Sequence, residues 1–234
     1  TTIVAILGTT ISPYLFFWEA SEEVEEEKAE GRKTIISRKG ATDTEIRNEK
    51  IDTIVGMLFC NVVFYFAILA SASTLYATGH TNIRSATDAA QALRPLAGDL
   101  ATVLFAIGLI GAGLLAVPVL TGSAAFAVAE TFGWRSGLDE KPRHAKKFYA
   151  VIVVSTLVGI GIDFIGINPI SALYWTAVIN GVIAPPLLII VMLVSNNRKV
   201  MGPRVNGLGT NIVGWLAASI MFAAAIGMFL TWGN

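Results

Sequence analysis

A short polar stretch interrupts the first apolar segment of the chain. Between Gly8 and Tyr14 it reads GTTISPY, with apolar residues on both sides. A break in a membrane helix leaves carbonyl groups at the end of the first half without partners, and that end carries negative partial charge. Together with the hydroxyls of Thr9, Thr10 and Ser12, these carbonyls would make a binding site of oxygen atoms alone. The stretch offers no Met, Cys or His to a softer metal, so it predicts a site for a hard cation.

The same stretch predicts how the helix is divided. We expect the first half to end near Gly8, and we expect Ser12 and Pro13 to restart the helix as an N-cap followed by proline in the first turn. Glu19 is the first charge after the apolar segment and is a candidate for helping to release a cation. The alternative is a proline kink that binds no ligand, but the clustering of polar and helix-breaking residues favours a site.

The composition indicates which elements must position this site. Of the 234 residues, 54% are hydrophobic and 15% are charged, whereas soluble domains carry roughly 25% charged residues. Four charge-free runs, each longer than the roughly 20 residues that a membrane helix needs, together with the opening segment and a span interrupted by one acid, predict an all-α integral membrane protein with about six transmembrane helices. We treat residues 1–234 as a single transmembrane domain, with predicted spans at 1–18 (the broken helix), 52–75, 100–132, 147–166, 169–194 and 210–232.

The positions of the basic residues predict the orientation of these spans. Of the 17 Lys and Arg residues, seven lie in the loop 19–51, five in the stretch 133–147 and three in the loop 195–209. Because basic loops stay on the inner side of a membrane, we expect all three to be cytoplasmic in a multi-pass protein of the cell (inner) membrane. The chain also starts inside an apolar segment without an initiator Met, and we interpret it as the C-terminal part of a longer protein.

Three further patterns predict contacts between helices. The fifth span contains Asn180–Gly181 and Pro185–Pro186, a polar interruption that lipid tolerates only where it is buried or lines a cavity; an unbroken but kinked packing helix is the alternative. In the second span, Asn61 is expected to bond a neighbouring helix, and the glycines of GLIGAG in the third are expected to allow close backbone packing.

Several stretches resemble one transporter family. GTTISPYLFFWEASEE, FAIGLIGAG, GSAAFAVAETFGWRSGLDEKPRHAKKFYAV and ALYWTAVINGVIAPPLLIIVMLVSNNRKVMG are similar to the C-terminal half of Nramp-family divalent metal transporters, from the sixth to the eleventh helix, and especially to the bacterial Nramp-related branch. The resemblance implies the second repeat of a five-plus-five inverted-repeat (LeuT-like) fold plus one extra helix. It also implies that a missing N-terminal half completes the site and that the metal is the transported substrate, with no resident cofactor.

The family's sixth-helix motif, Ala-x-x-Met-Pro-His, can be aligned on Pro13. Thr9 then takes the place of the alanine whose carbonyl contacts metal, Ser12 that of the methionine ligand, and Tyr14 that of the histidine implicated in proton movement. Loss of the thioether favours Mn²⁺ or Mg²⁺ over Fe²⁺, and loss of the histidine removes a group that titrates near neutrality. The resemblance therefore does not extend proton coupling to this chain. Asn180 is the candidate for the polar ligand of the family's tenth helix, and Tyr14 would shape the cytoplasmic exit or a water network.

Two other functions stay open. A symporter of the same fold for an organic solute, such as an amino acid, would bind a carboxylate at the start of the second half-helix. A membrane subunit without transport of its own is the other alternative, although interrupted helices would gain it nothing. We find no pairing of a nucleophile with a base, so we expect neither an enzyme nor, in this charge-poor chain, a partner for nucleic acid.

Overall fold

The computed structural model describes residues 1–77, 79, 83, 85–94, 98 and 100–232, and every regular element in this part of the chain is a helix. In chain order the helices are α1 (Thr2–Thr10), α2 (Pro13–Ala29), α3 (Asp43–Ser71, continued by a π-helical turn at Ala72–Tyr76), α4 (Ala86–Ala92), α5 (Leu100–Thr131), α6 (Lys146–Phe164), α7 (Pro169–Ser195), α8 (Arg198–Met201) and α9 (Leu208–Leu230).

Local sequence signals explain where two of the long helices begin. At the start of α3, the Glu45 amide donates to the Thr42 hydroxyl at 3.2 Å and the Thr42 amide donates to the Glu45 carboxylate at 2.6 Å, which is a capping box. At the start of α7, the Asn168 side chain accepts from the Ile170 amide at 2.9 Å, and Pro169 occupies the first helical position, where its missing N–H costs nothing.

The helices confirm the predicted all-α membrane protein. Within the described residues, five helical segments are long and apolar enough to cross a membrane: Thr2–Ala29, Asp43–Tyr76, Leu100–Thr131, Pro169–Ser195 and Leu208–Leu230. The span predicted at 147–166 coincides with α6, and its crossing of the membrane stays a prediction.

The chain forms two compact units. The first comprises Thr1–Ala20, Leu120–Ser136 and Pro142–Asn234. In it α1 packs across α7, and α7 packs against α9. One core cluster lies among these three helices and consists of buried residues from each of them: Val4, Ala5, Ala177, Val178 and Met228. A second cluster, formed by Ala125, Phe126, Ala129, Ala145 and Phe148, joins the end of α5 to the start of α6, and Trp18 packs against it.

The second unit comprises Ser21–Val119 and Gly137–Lys141. Its α3 buries no residue within its helical range. Around the loop after α2, Arg32 forms ion pairs with Glu27, Glu30 and Glu45, and the hydrogen bond to Glu45 raises the pKa of Arg32 above its ordinary value. The Leu138 amide donates to the Glu25 carboxylate at 2.9 Å, so the acidic end of α2 holds the segment around residue 138.

Two expectations about helix contacts were wrong, and of the two alternatives for the fifth span the unbroken packing helix is the one found. α7 runs unbroken through Asn180–Gly181 and through Pro185–Pro186, because Pro185 lies fully buried in the packed unit, where tertiary contacts stabilise a helix around proline. The Asn61 amide donates to the Met57 carbonyl of its own helix at 2.7 Å, one turn back, rather than to a neighbouring helix. The glycines of GLIGAG have nothing within 4 Å of the position that a Cβ would occupy.

Candidate cation site at the helix break

The first apolar segment consists of two helices separated by only two residues. α1 continues to Thr10, Ile11 and Ser12 follow, and α2 begins at Pro13. The restart at Pro13 is confirmed, whereas the predicted end of the first half near Gly8 was two residues too early. The break is therefore a short discontinuity between two helix ends rather than a polar loop.

Two threonine side chains bond to the backbone of α1 beyond its predicted end. The Thr9 and Thr10 hydroxyls both donate to the carbonyl of Ile6, at 2.8 Å and 2.9 Å. These bonds fix the side chains against the last turn of α1. A hydroxyl that donates one hydrogen bond keeps its oxygen lone pairs, so both oxygens can still accept or ligate. Both residues are exposed.

The end of α1 presents carbonyl oxygens at the break. The Gly8 carbonyl accepts the Ser12 hydroxyl at 2.7 Å. The Thr9 and Thr10 carbonyls accept no hydrogen bond from any described residue. Carbonyls left over at a helix C-terminus concentrate negative partial charge. The main-chain carbonyls of Thr9 and Thr10 can therefore still accept, and their role as metal ligands stays a prediction.

Ser12 joins the two halves of the segment. Its side chain is buried, with 5% of its surface exposed, and its hydroxyl donates back into α1. No described amide of α2 donates to this hydroxyl, so the predicted capping hydrogen bond is not found. Pro13 has no N–H, and the Leu15 amide donates to the Ser12 carbonyl at 3.1 Å. Two of the first three residues of α2 therefore offer no free amide to an anion.

The position of α1 depends on two glycines that cross each other. A Cβ on Gly8 would overlap the Ala177 carbonyl oxygen and the Gly181 backbone of α7, and a Cβ on Gly181 would overlap the Val4 carbonyl of α1. Backbones approach this closely only where neither residue has a side chain. Gly8, which the sequence predicted as part of the break, is instead the crossing point of α1 on α7.

Asn180 lies on α7 directly before this crossing and is half-buried. Its side chain makes no hydrogen bond with the described residues. Consecutive helical residues are about 100° apart around the axis, so Asn180 does not share the face by which Gly181 contacts α1. Its role as a ligand stays a prediction.

The start of α2 is anchored on α5 by contacts that the sequence analysis missed. The Ser123 hydroxyl, in a side chain only 1% exposed, donates to the Tyr14 carbonyl at 2.8 Å. One turn further along α2, the Trp18 ring lies where a Cβ on Gly122 would be only 2.5 Å from it, and it meets Phe126 edge-on at 6.3 Å. The adjacent small residues Gly122 and Ser123 were the available signal.

Acidic and sulfur ligands do not gather in the described part of the chain. There, no three His, Cys, Asp or Glu side chains are grouped so that they could hold a metal ion. Glu19, the candidate for releasing a cation, is exposed on α2. A metal at the break would therefore depend on carbonyl and hydroxyl oxygens from this chain, which are ligands of hard cations.

These features define a multi-pass helical membrane protein with a broken helix in its packed core. The family model described as natural resistance-associated macrophage protein-like (Nramp) matches residues 1–231. The chain belongs to the Nramp family.

Relatives with assigned names are consistent with this membership. Three of them, each named divalent metal cation transporter MntH, come from Deinococcus radiodurans (25% identical, over 98% of this chain and 48% of the relative), Clostridium acetobutylicum (27%, over 93% and 46%) and Bacillus subtilis (24%, over 93% and 47%). The chain spans about half the length of the relatives that it matches.

Proposed function

We propose that this chain is one half of a secondary transporter that moves divalent metal cations by alternating access. The observation that carries the proposal is the pair of unpartnered carbonyls at the end of α1, beside the buried Ser12 hydroxyl. Secondary transporters use such discontinuous helices, with their carbonyl ends coordinating cations near the middle of the membrane. The names of the relatives support a divalent metal as the substrate.

The proposed ligands are Thr9 through its carbonyl, Ser12 through its hydroxyl and Asn180 through its side chain, with the remainder supplied by the missing half of the protein. Oxygen ligands without sulfur favour Mn²⁺ or Mg²⁺ over Fe²⁺. In this arrangement Tyr14 lines the exit path and does not take over proton movement from the histidine that it replaces. Transport is then not coupled to protons through this position.

The proposed orientation places the loops 19–51, 133–147 and 195–209 in the cytoplasm. Its support is the distribution of Lys and Arg in the sequence. The carbonyl end of α1 would then face the middle of the membrane, and α2 would lead from the site toward the inner side, where Glu19 marks its first charge.

Metal uptake into liposomes tests this function. The full-length protein is reconstituted with a metal-sensitive dye and a pH-sensitive dye enclosed, and Mn²⁺, Mg²⁺ or an amino acid is added outside. We expect saturable uptake of Mn²⁺ or Mg²⁺, no uptake of the amino acid and no internal acidification, with protein-free liposomes as the control. Amino acid uptake without metal uptake would overturn the metal assignment. Metal uptake with acidification would overturn only the absence of proton coupling.

A further inference from the structure

A basic cavity lies away from the helix break, between the end of α5 and the start of α6. Its volume is about 430 Å³, and it is lined by the connector between these helices and by the first residues of α6: Trp134, Arg135, Arg143, His144, Ala145, Lys146 and Lys147. None of these lining residues carries a carboxylate. The cavity therefore gathers four cationic side chains and a histidine at the polar ends of two apolar helices.

Part of this positive charge is not neutralised by the protein. Neither Arg143 nor Lys146 forms an ion pair with a described residue. The contrast within the same chain is Arg32, which is surrounded by Glu27, Glu30 and Glu45. Like charges that share one cavity repel each other, so an anion that enters it is stabilised by all of them.

Aromatic packing gives the cavity a fixed wall. The Lys147 ammonium lies 4.8 Å from the centre of the Trp134 ring, and Phe132 stacks on the same ring at 5.1 Å. Ala145, which also lines the cavity, is buried with Phe148 in the core cluster that joins α5 to α6. Trp at the end of an apolar helix is typical of the boundary between lipid and water, and this boundary is where lipid headgroups lie.

We propose that this cavity binds the phosphate of an anionic phospholipid headgroup. Basic pockets between membrane helices on the cytoplasmic side bind such headgroups, and the basic loops of this chain favour that side. Arg143 and Lys146 supply charge that the protein leaves unpaired, Lys147 is held on the Trp134 ring, and the ring packs against the acyl region. The proposal does not depend on the transported substrate.

Lipid binding can be measured directly on the full-length protein in nanodiscs of phosphatidylcholine that contain increasing fractions of phosphatidylglycerol. Native mass spectrometry then counts the phosphatidylglycerol molecules retained. The test variant is Arg143→Gln with Lys146→Gln. The matched control is Lys33→Gln with Lys39→Gln, which removes the same charge from two exposed residues of another loop. A third variant, Arg143→Lys with Lys146→Arg, keeps the charge and reports on folding.

We expect the test variant to bind phosphatidylglycerol roughly tenfold or more weakly, because each basic residue near the surface contributes about 1 kcal/mol. The control and the charge-conserving variant should remain within about twofold of the wild type. Equally weakened phosphatidylglycerol binding in the control would show that general surface charge causes the effect, and it would overturn the proposed site. Loss of binding in the charge-conserving variant would also overturn the proposed lipid site. Displacement of the lipid by millimolar inorganic phosphate would overturn it as well, because it would show a site for free anions.

Discussion

Two long helices, α7 and α3, each contain an apolar stretch long enough to cross a membrane, but their surroundings are opposite. α7 buries six residues, among them Gly181, Ala184 and Pro185, whereas α3 buries none within its helical range. This difference in burial does not follow from hydrophobicity, because both helices are long and apolar enough to cross a membrane. In lipid, apolar surface gives no preference between a helix and the acyl chains, so close packing must come from shape.

The glycines show what shape adds. Gly8 and Gly181 bring two backbones together, whereas Gly108, on α5, has open space where a Cβ would lie. Each is a helical glycine in an apolar surrounding. They differ in whether a partner helix is present. Gly8 contacts the backbone of α7, whereas no described residue lies against Gly108. The first segment, with its break, therefore packs on α7 at a crossing where neither glycine could carry a Cβ without overlapping the other backbone.

The largest expected loss of stability comes from removing a buried aromatic ring, and removal of an exposed ring is the comparison. Phe148→Ala should destabilise the protein by about 3 kcal/mol, because the ring is fully buried between α5 and α6 and its removal leaves a cavity. Phe59→Ala on α3, where the ring is 72% exposed, should change stability little. Thermal unfolding of the full-length variants in detergent measures both. Similar losses for the two would show that α3 is as well packed as the core.

The next effect tests the glycine crossing. Gly8→Ala should cost about 1–3 kcal/mol, because the added methyl group overlaps the α7 backbone. Gly108→Ala is the matched control and should be neutral or slightly stabilising, because alanine is the better helix former and meets no atom. The same unfolding measurement applies. A tolerated Gly8→Ala would mean that α1 and α7 do not approach this closely.

A smaller effect is expected at the anchor of α2. Ser123→Ala removes the hydrogen bond to the Tyr14 carbonyl and should cost about 1 kcal/mol, and it should lower the maximal rate of uptake more than the apparent metal affinity. Ser123→Thr, which keeps the hydroxyl, should restore the rate. Loss of stability without any change in rate would limit Ser123 to a packing role.

The sequence predicted most of the helices and the place of the break, because charge-free runs and proline are local signals. It did not predict that α1 would run on to Thr10, since threonine hydroxyls that bond a carbonyl of their own helix, here that of Ile6, leave the helix intact. Nor could it tell that Gly181 marks a crossing rather than an interruption, because the partner residue is more than 170 positions away in the chain. The prediction for Asn61 was wrong because its amide donates to a carbonyl of its own helix, that of Met57, and the sequence does not show which partner an amide will choose.

Ser12 is the proposed side-chain ligand at the break, and one pair of variants tests this role. The hydroxyls of Ser12 and Ser71 each donate to the carbonyl four residues earlier, at 2.7 Å and 2.8 Å, but Ser12 is buried at the break and Ser71 is exposed on α3. Mn²⁺ uptake by the full-length protein in liposomes is measured for Ser12→Ala and Ser71→Ala. We predict that Ser12→Ala weakens the apparent affinity on the order of tenfold, equivalent to about 1.4 kcal/mol, and that Ser71→Ala matches the wild type. Equal affinities for both variants and the wild type would contradict the account.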